Sequence, residues 1–209
     1  MIKQAGRPRA ADLEARNNNL IETAAQLFLK LGYGKVSLEL IAREAHVAVR
    51  TIYVKFGGKS GLFKAVLTAN RDKFISPQQM QTDTRPLRVI IGEYSEHFLT
   101  MITEPAALEV QRMVIAESKT DPELGNSFFD AGPRQSREML AQFFARPDIR
   151  AQLRDDLPLE LLPSFLLNCI LGDQFSRFLF DPAAEPQAEI DARLRQRLEL
   201  FYQSVLKAA

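Results

Sequence analysis

The 209-residue chain contains no tryptophan, one cysteine, two histidines and four tyrosines. Cys169 has no partner for an intrachain disulfide, which suits a reducing compartment. His46, His97 and Cys169 share no zinc-ligand spacing, so neither a metal nor a cofactor is expected. No serine or cysteine sits in the strand–turn–helix setting of a nucleophile elbow, and the scarce His and Cys supply no acid–base cluster, so the chain does not read as an enzyme. Long apolar runs are also missing. The longest apolar region, Leu157 to Leu171, is interrupted by Pro158, Glu160, Pro163, Ser164 and Asn168, and falls short of the roughly 18 apolar residues a membrane span needs. No apolar stretch follows the basic start from Met1 to Ala11, so no signal peptide is expected and the protein reads as cytoplasmic, with no membrane partner. Ten glycines and eleven prolines beside 46% hydrophobic residues mark a globular chain.

What the chain has is an uneven charge. The formal net charge is only +1, but residues 1–75 carry thirteen basic and six acidic side chains, a balance of +7, and the rest of the chain carries −6. A basic part of this kind suggests that it meets a polyanion.

Apolar spacing is helical throughout, and no stretch alternates with period two long enough for a sheet. Leu20, Ala24, Leu27, Phe28 and Leu31 predict an amphipathic helix of roughly four turns, stopped by Gly32 and Gly34. Ser37 is a good N-cap for a short second helix with Leu38, Ile41, Ala42 and Ala45 on its apolar side. A third helix is expected over Val49–Phe56 and a fourth from Lys59 to about Phe74, with Ser76-Pro77 closing the unit. Beyond it, helices are expected over about 87–102, 106–118, 123–144 (with a kink at Gly132-Pro133), 159–180 and 186–207. The expectation is an all-α protein of about nine helices, divided into a basic arm (1–16), a head of short helices (17–75) and a larger helical domain (76–209).

Two short helices joined by a turn, the second carrying Arg50, Thr51, Tyr53 and Lys55, meet the requirements of a helix-turn-helix. Val47 and Ile52 would pack inward on Leu27, Leu38 and Ile41, leaving Val49, Arg50, Val54 and Lys55 outward. Gly58-Lys59-Ser60 has the end of a phosphate-binding loop, but Tyr53 stands where its first glycine is required and no strand precedes it.

The stretch from Val36 to Ala45, followed by Val47, Thr51-Ile52-Tyr53, Phe56, Lys59 and Leu62-Phe63, resembles the N-terminal DNA-binding domain of TetR-type transcriptional regulators over about residues 15–75. The resemblance implies that Ser37 and Thr51 donate to DNA phosphates, that Tyr53 packs on or bonds to the backbone, and that Lys59 with its amide holds another phosphate. Base contacts would fall to Val49, Arg50, Val54 and Lys55, and Arg7 and Arg9 would form a minor-groove arm. His46 and Ala48 depart from the family pattern, which has Gly and Ser there. Ala48 forgoes a cap of about 1 kcal/mol, and His46 must take a left-handed conformation or shift the turn.

By the same resemblance the remainder dimerises and binds a small effector. Leu162, Phe165, Leu166, Cys169 and Ile170 on one helix, with Leu194, Leu198, Phe201 and Val205 on the last, are the expected interface, with intrachain core as the competing reading. Candidates for an effector cavity are His97, Met101, Met113, Glu117, Phe128, Phe129, Met139, Phe143, Asn168 and Phe175. The function implied is a homodimeric repressor of a palindromic double-stranded operator, released by a small molecule. The alternatives are an effector-independent regulator whose larger domain binds a protein, or a helical enzyme.

Overall fold

A computed structural model describes residues 10–180 and 186–207. Among these the chain forms thirteen α-helices: α1 Ala10–Leu31, α2 Leu38–Glu44, α3 Val49–Phe56, α4 Lys59–Asp72, α5 Pro77–Thr82, α6 Leu87–Thr103, α7 Pro105–Glu117, α8 Pro122–Phe129, α9 Gln135–Ala145, α10 Pro147–Arg150, α11 Leu162–Leu171, α12 Gln174–Phe180 and α13 Gln187–Val205. No strand occurs among the described residues, only one isolated bridge between Leu153 and Leu206.

The surplus over nine helices has local causes. Ser76 does not close a unit; its Oγ accepts from the Gln79 N–H, and with Pro77 at the first helical position it starts α5. Pro147 starts α10 in the same way. Gly172, at φ 54°, separates α11 from α12. At Gly132-Pro133 the expected kink is a π-helical turn, Asp130–Arg134, which accommodates a residue with no N–H to donate. Helix α1 is longer than its apolar repeat. Residues 13–16, 18 and 19 are exposed and Leu20 is the first buried side chain from residue 13 onward, so the periodicity marked the part of the helix that packs. Residues 10–16, expected as part of an arm, are helical; Arg7 and Arg9 lie outside the described residues.

The chain forms two compact units, and their borders are not where a single cut would put them. One unit runs to Ala69 and includes Met113–Phe128; the other comprises Asn70–Arg112 and Phe129 onward. All three borders fall within helices, in α4, in α7 and before the last residue of α8.

In the first unit Leu20, Ala24 and Phe28 of α1, at four-residue steps, bury one stripe with Ile41, Ile52, Leu62 and Phe63. Phe28, Tyr33 and Phe63 form an aromatic trio with centroids 5.2, 5.6 and 5.4 Å apart. Val114 and Leu124, from Met113–Phe128, are buried in this unit too.

In the second unit α11 packs on α9 and α13, and α13 packs on α6, around Ile91, Leu140, Phe143, Phe144, Leu166, Ile170, Leu194 and Phe201. Three arginines remote in sequence satisfy helix C-termini, whose last carbonyls lack intrahelical donors. Arg146 donates to Met80 O and Asp83 O at the end of α5, both at 2.7 Å. Arg112 donates to Phe178 O (2.7 Å) and Leu179 O (2.9 Å) in α12. Arg197 donates to Cys169 O (2.6 Å) and Ile170 O (3.0 Å) in α11.

Candidate nucleic-acid interface

The helix-turn-helix is assembled by capping and burial. Ser37 Oγ accepts from Leu40 N–H at 3.1 Å and caps α2, leaving its own hydroxyl proton free to donate outward. The turn closes through Val47 N–H to Ala42 O at 2.9 Å. His46 sits in it at φ 54°, the left-handed conformation that the family's glycine takes without steric cost. Ala48, the N-cap of α3, has no side-chain cap, and Thr51 N–H bonds back to Ala48 O at 2.8 Å. Gly57, at φ 76°, ends the helix.

Two predictions follow from this turn. Ala48→Ser is expected to raise stability by about 1 kcal/mol through the missing cap. His46→Gly removes about 1–2 kcal/mol of left-handed strain but adds about 0.5–1 kcal/mol of unfolded-chain entropy, for a net gain of about 0.5 kcal/mol. Urea unfolding of the two variants and their double mutant measures both. A loss of stability in Ala48→Ser would contradict the N-cap geometry.

Ile52 is completely buried and anchors α3, while Tyr53 is 57% and Val54 75% exposed. Arg50 and Lys55 are exposed, and Val49 and Thr51 are half-buried. The free face of α3 therefore carries Arg50, Tyr53, Val54 and Lys55. Lys55 has one tether, its Nζ donating to Asn17 Oδ1 on α1 at 3.3 Å. Lys59, at the start of α4, is placed differently: its Nζ lies over the Tyr33 ring, 4.1 Å from the centroid. Burial pulls the Lys59 pKa down, opposed by the charges of Asp121 and Glu117. Burial, with Asp121 and Glu123, pushes the Tyr33 hydroxyl up to about 12.

The ten residues expected around an effector divide between the two units. Met113, Glu117 and Phe128 fold with the head unit. Glu117 is engaged there, its Oε2 accepting from Gly34 N–H at 2.7 Å. Met139 and Phe143 are buried core, and Met101 packs against that core. Phe129 is exposed beneath the Arg137 guanidinium, 4.8 Å from its centroid. Asn168 is exposed and Phe175 half-buried. Only His97 lines the cleft of about 240 Å³ in the second unit, with Phe74, Ile75, Met80, Arg85 and Glu93 around it. In that cleft Arg85 bridges Asp83 and Glu93, Nη2 lying 2.6 Å from each carboxylate, and holds both below the usual carboxylate range by hydrogen bonding. Most of the methionines and phenylalanines picked at helical spacing became packing, while the cleft mixes other apolar side chains, Phe74, Ile75 and Met80, with the charged Asp83, Arg85 and Glu93.

The expected dimer stripe divides similarly. Leu162, Leu166, Ile170, Leu194, Leu198, Phe201 and Val205 are buried within the single chain, so they are not surface residues. Cys169 is half-buried, its thiol pushed up by burial. Phe165 remains 40% and Leu200 64% exposed, on the packed pair α11 and α13. The stripe marked chiefly the inward faces of α11 and α13.

Residues 20–66, which hold the helix-turn-helix, match the family described as bacterial regulatory proteins, tetR family. Residues 90–203 match the C-terminal domain of AefR-like transcriptional repressors. The chain belongs to the TetR family of transcriptional regulators. Its relatives are regulators and not enzymes. The chain is 25% identical over 174 residues to the HTH-type transcriptional repressor ComR of Escherichia coli (strain K12), a match covering 81% of this chain and 80% of that protein. NalD of Pseudomonas aeruginosa, the secondary repressor of the MexAB-OprM multidrug efflux pump, is 25% identical and superposes with a TM-score of 0.62, covering 94% of this chain and 98% of NalD. A TetR transcriptional regulator from Agrobacterium tumefaciens shares the fold at 21% identity and a TM-score of 0.69, covering 90% of this chain and 93% of that one. Among the described residues no helix is long and apolar enough to cross a membrane.

Proposed function

We propose that this TetR-family regulator is a repressor that binds a palindromic operator as a homodimer and is released by a small molecule. The observation that carries the DNA-reading part is the face of α3: Ile52 is wholly buried while Arg50, Tyr53, Val54 and Lys55 are exposed beside it. Arg50, Val54, Lys55 and Val49 read base edges in the major groove; Ser37, Thr51 and Tyr53 hold the phosphates that fix register. Arg7 and Arg9 extend this contact into the minor groove. Phe165 and Leu200 supply the apolar part of the interface between protomers, α11 and α13 pairing with their symmetry mates. Repression is supported by the two repressor relatives and the AefR-like domain. An effector in the cleft around His97 would weaken DNA binding by the factor by which DNA weakens effector binding. At about 240 Å³ the cleft lies below the usual 300–1,000 Å³ of drug-sized sites, which favours a small ligand.

The test is to sequence the DNA fragments retained by the purified protein. Enrichment of an inverted repeat with half-sites about one helical turn apart, or a longer spacing bridged by two dimers, is expected. Recovery of fragments with no shared sequence would overturn operator reading. Affinity for the recovered duplex should also fall steeply with added salt, by about 0.9 in log K per log unit of salt for each phosphate neutralised; a flat response would remove the phosphate contacts from the picture.

A further inference from the structure

The charged residues lining the cleft of the second unit are largely committed to one another. Every carboxylate oxygen of Asp83 and Glu93 accepts from Arg85: Asp83 Oδ1 from Nε at 3.1 Å, Asp83 Oδ2 from Nη2 at 2.6 Å, Glu93 Oε1 from Nη1 at 2.7 Å and Glu93 Oε2 from Nη2 at 2.6 Å. Asp72 takes the Arg71 guanidinium, Nε at 3.1 Å and Nη2 at 3.0 Å. Lys73 and His97 also line the cleft, and both are exposed. The buried part of the lining is apolar, with Ile75, Met80 and Ile90 buried and Phe74 half-buried. Tyr94 is the exception. It follows Ile90 by four residues and precedes His97 by three, so all three share the cleft side of α6. Tyr94 is 6% exposed, and its buried hydroxyl has no hydrogen-bond partner among the described residues. The other buried hydroxyls nearby are satisfied: Ser95 donates to Ile91 O at 2.6 Å and Tyr202 to Arg88 O at 3.2 Å. A buried hydroxyl without a partner is unfavourable unless something that enters the site supplies one.

We propose that the cleft takes a small uncharged ligand with an apolar ring and one hydrogen-bond acceptor, a carbonyl oxygen, to which the Tyr94 hydroxyl donates. This deepens the reading of the cleft as the effector site and rests on it. Charge decides the class. A carboxylate ligand would approach Asp83 and Glu93, whose guanidinium is already engaged, and a cation would have to displace Arg85 from both. A neutral ring leaves that triad intact, covers Ile75, Met80 and Ile90, and brings the hydroxyl its acceptor. A cleft of about 240 Å³, below drug size, suits one ring with a short substituent. A site with a buried donor also discriminates against a ligand lacking the acceptor, because the donor is then left unpaired.

Ligand-observed NMR titrations of the full chain compare four probes of one shape: acetophenone, ethylbenzene without the oxygen, benzoate as the anion and 1-phenylethylammonium as the cation. Acetophenone is expected to bind the parent about tenfold more tightly than each of the others, the effect of one hydrogen bond. In Tyr94→Phe, which keeps the ring, acetophenone should fall to the level of ethylbenzene, whose own affinity stays the same. The thermal midpoint of ligand-free Tyr94→Phe should equal or exceed the parent's, since the lost hydroxyl has no internal partner; a hydroxyl with a structural role would lower it. Benzoate or the ammonium ion binding as tightly as acetophenone, an acetophenone affinity unaltered by Tyr94→Phe, a lowered midpoint, or binding of none of the four would overturn the proposal. Anisotropy of the duplex recovered by the purified protein, followed as acetophenone is added, tests the effector reading separately. Binding without release of DNA would overturn that reading and leave the ligand class standing.

Discussion

Replacing Tyr53 by alanine is expected to lower operator affinity about thirty- to a hundredfold while leaving the thermal midpoint nearly unchanged. The ring is 57% exposed on α3, so its removal opens no cavity, and exposed substitutions of this kind alter stability by about 0.5 kcal/mol or less. A hydrogen bond to a charged phosphate contributes about 1.5–3 kcal/mol, and packing of the ring on the DNA backbone adds to it. Each 1.4 kcal/mol is a tenfold change in affinity. Because phosphate contacts set register, the loss should be larger for the operator than for random DNA. Anisotropy titrations with both duplexes, beside a thermal melt, separate the effects. Unchanged operator affinity would mean that α3 does not dock through this face.

Phe201→Ala is expected to cost about 3–5 kcal/mol of protomer stability, the range for truncating a buried phenylalanine. Phe201 is completely buried, with ring centroids 5.3 Å from Phe165, 5.9 Å from Tyr202 and 6.4 Å from Phe144. At about 2–4 °C per kcal/mol for a chain of this size, the thermal midpoint should drop by roughly ten degrees. The same residue in a dimer seam would behave differently, since its loss would make stability depend on protein concentration. Phe165→Glu and Leu200→Glu, on the exposed faces of the same helices, are expected to yield monomers with little loss of helicity. Sedimentation measures the second effect and calorimetry at several concentrations the first. A Phe201→Ala protein that keeps its midpoint but dissociates would return Phe201 to the interface and overturn the packing of α13.

The DNA-reading end was the most legible part because its rules are local. Ser37 caps α2 as its side chain dictates, Ile52 faces inward, and His46 takes the left-handed turn. Each depends on neighbours within a few residues, where spacing and capping chemistry suffice. The body was legible as helices but not as surfaces. A stripe such as Leu162, Leu166, Leu194 and Phe201 announces that a face is buried, and carries no record of whether its own chain or a second copy buries it. The candidate effector residues were read from the same kind of signal. Met139 and Phe143 are apolar at helical spacing, which is what a core requires, whereas the cleft around His97 combines Phe74, Ile75 and Met80 with Arg85 bridging Asp83 and Glu93.

The amino-acid sequence alone determined an all-helical chain, a basic head whose +7 is offset by a −6 remainder, and the identity of the recognition helix. Tertiary structure decided which residues share an environment. It gathered Glu117 to Gly34 across 83 positions and Arg146 to the end of α5 across 66 and 63. It also turned most of an expected interface into core. Helical periodicity is a property of neighbours three and four residues apart, and it cannot encode which distant backbone carbonyl or amide a charged side chain will satisfy.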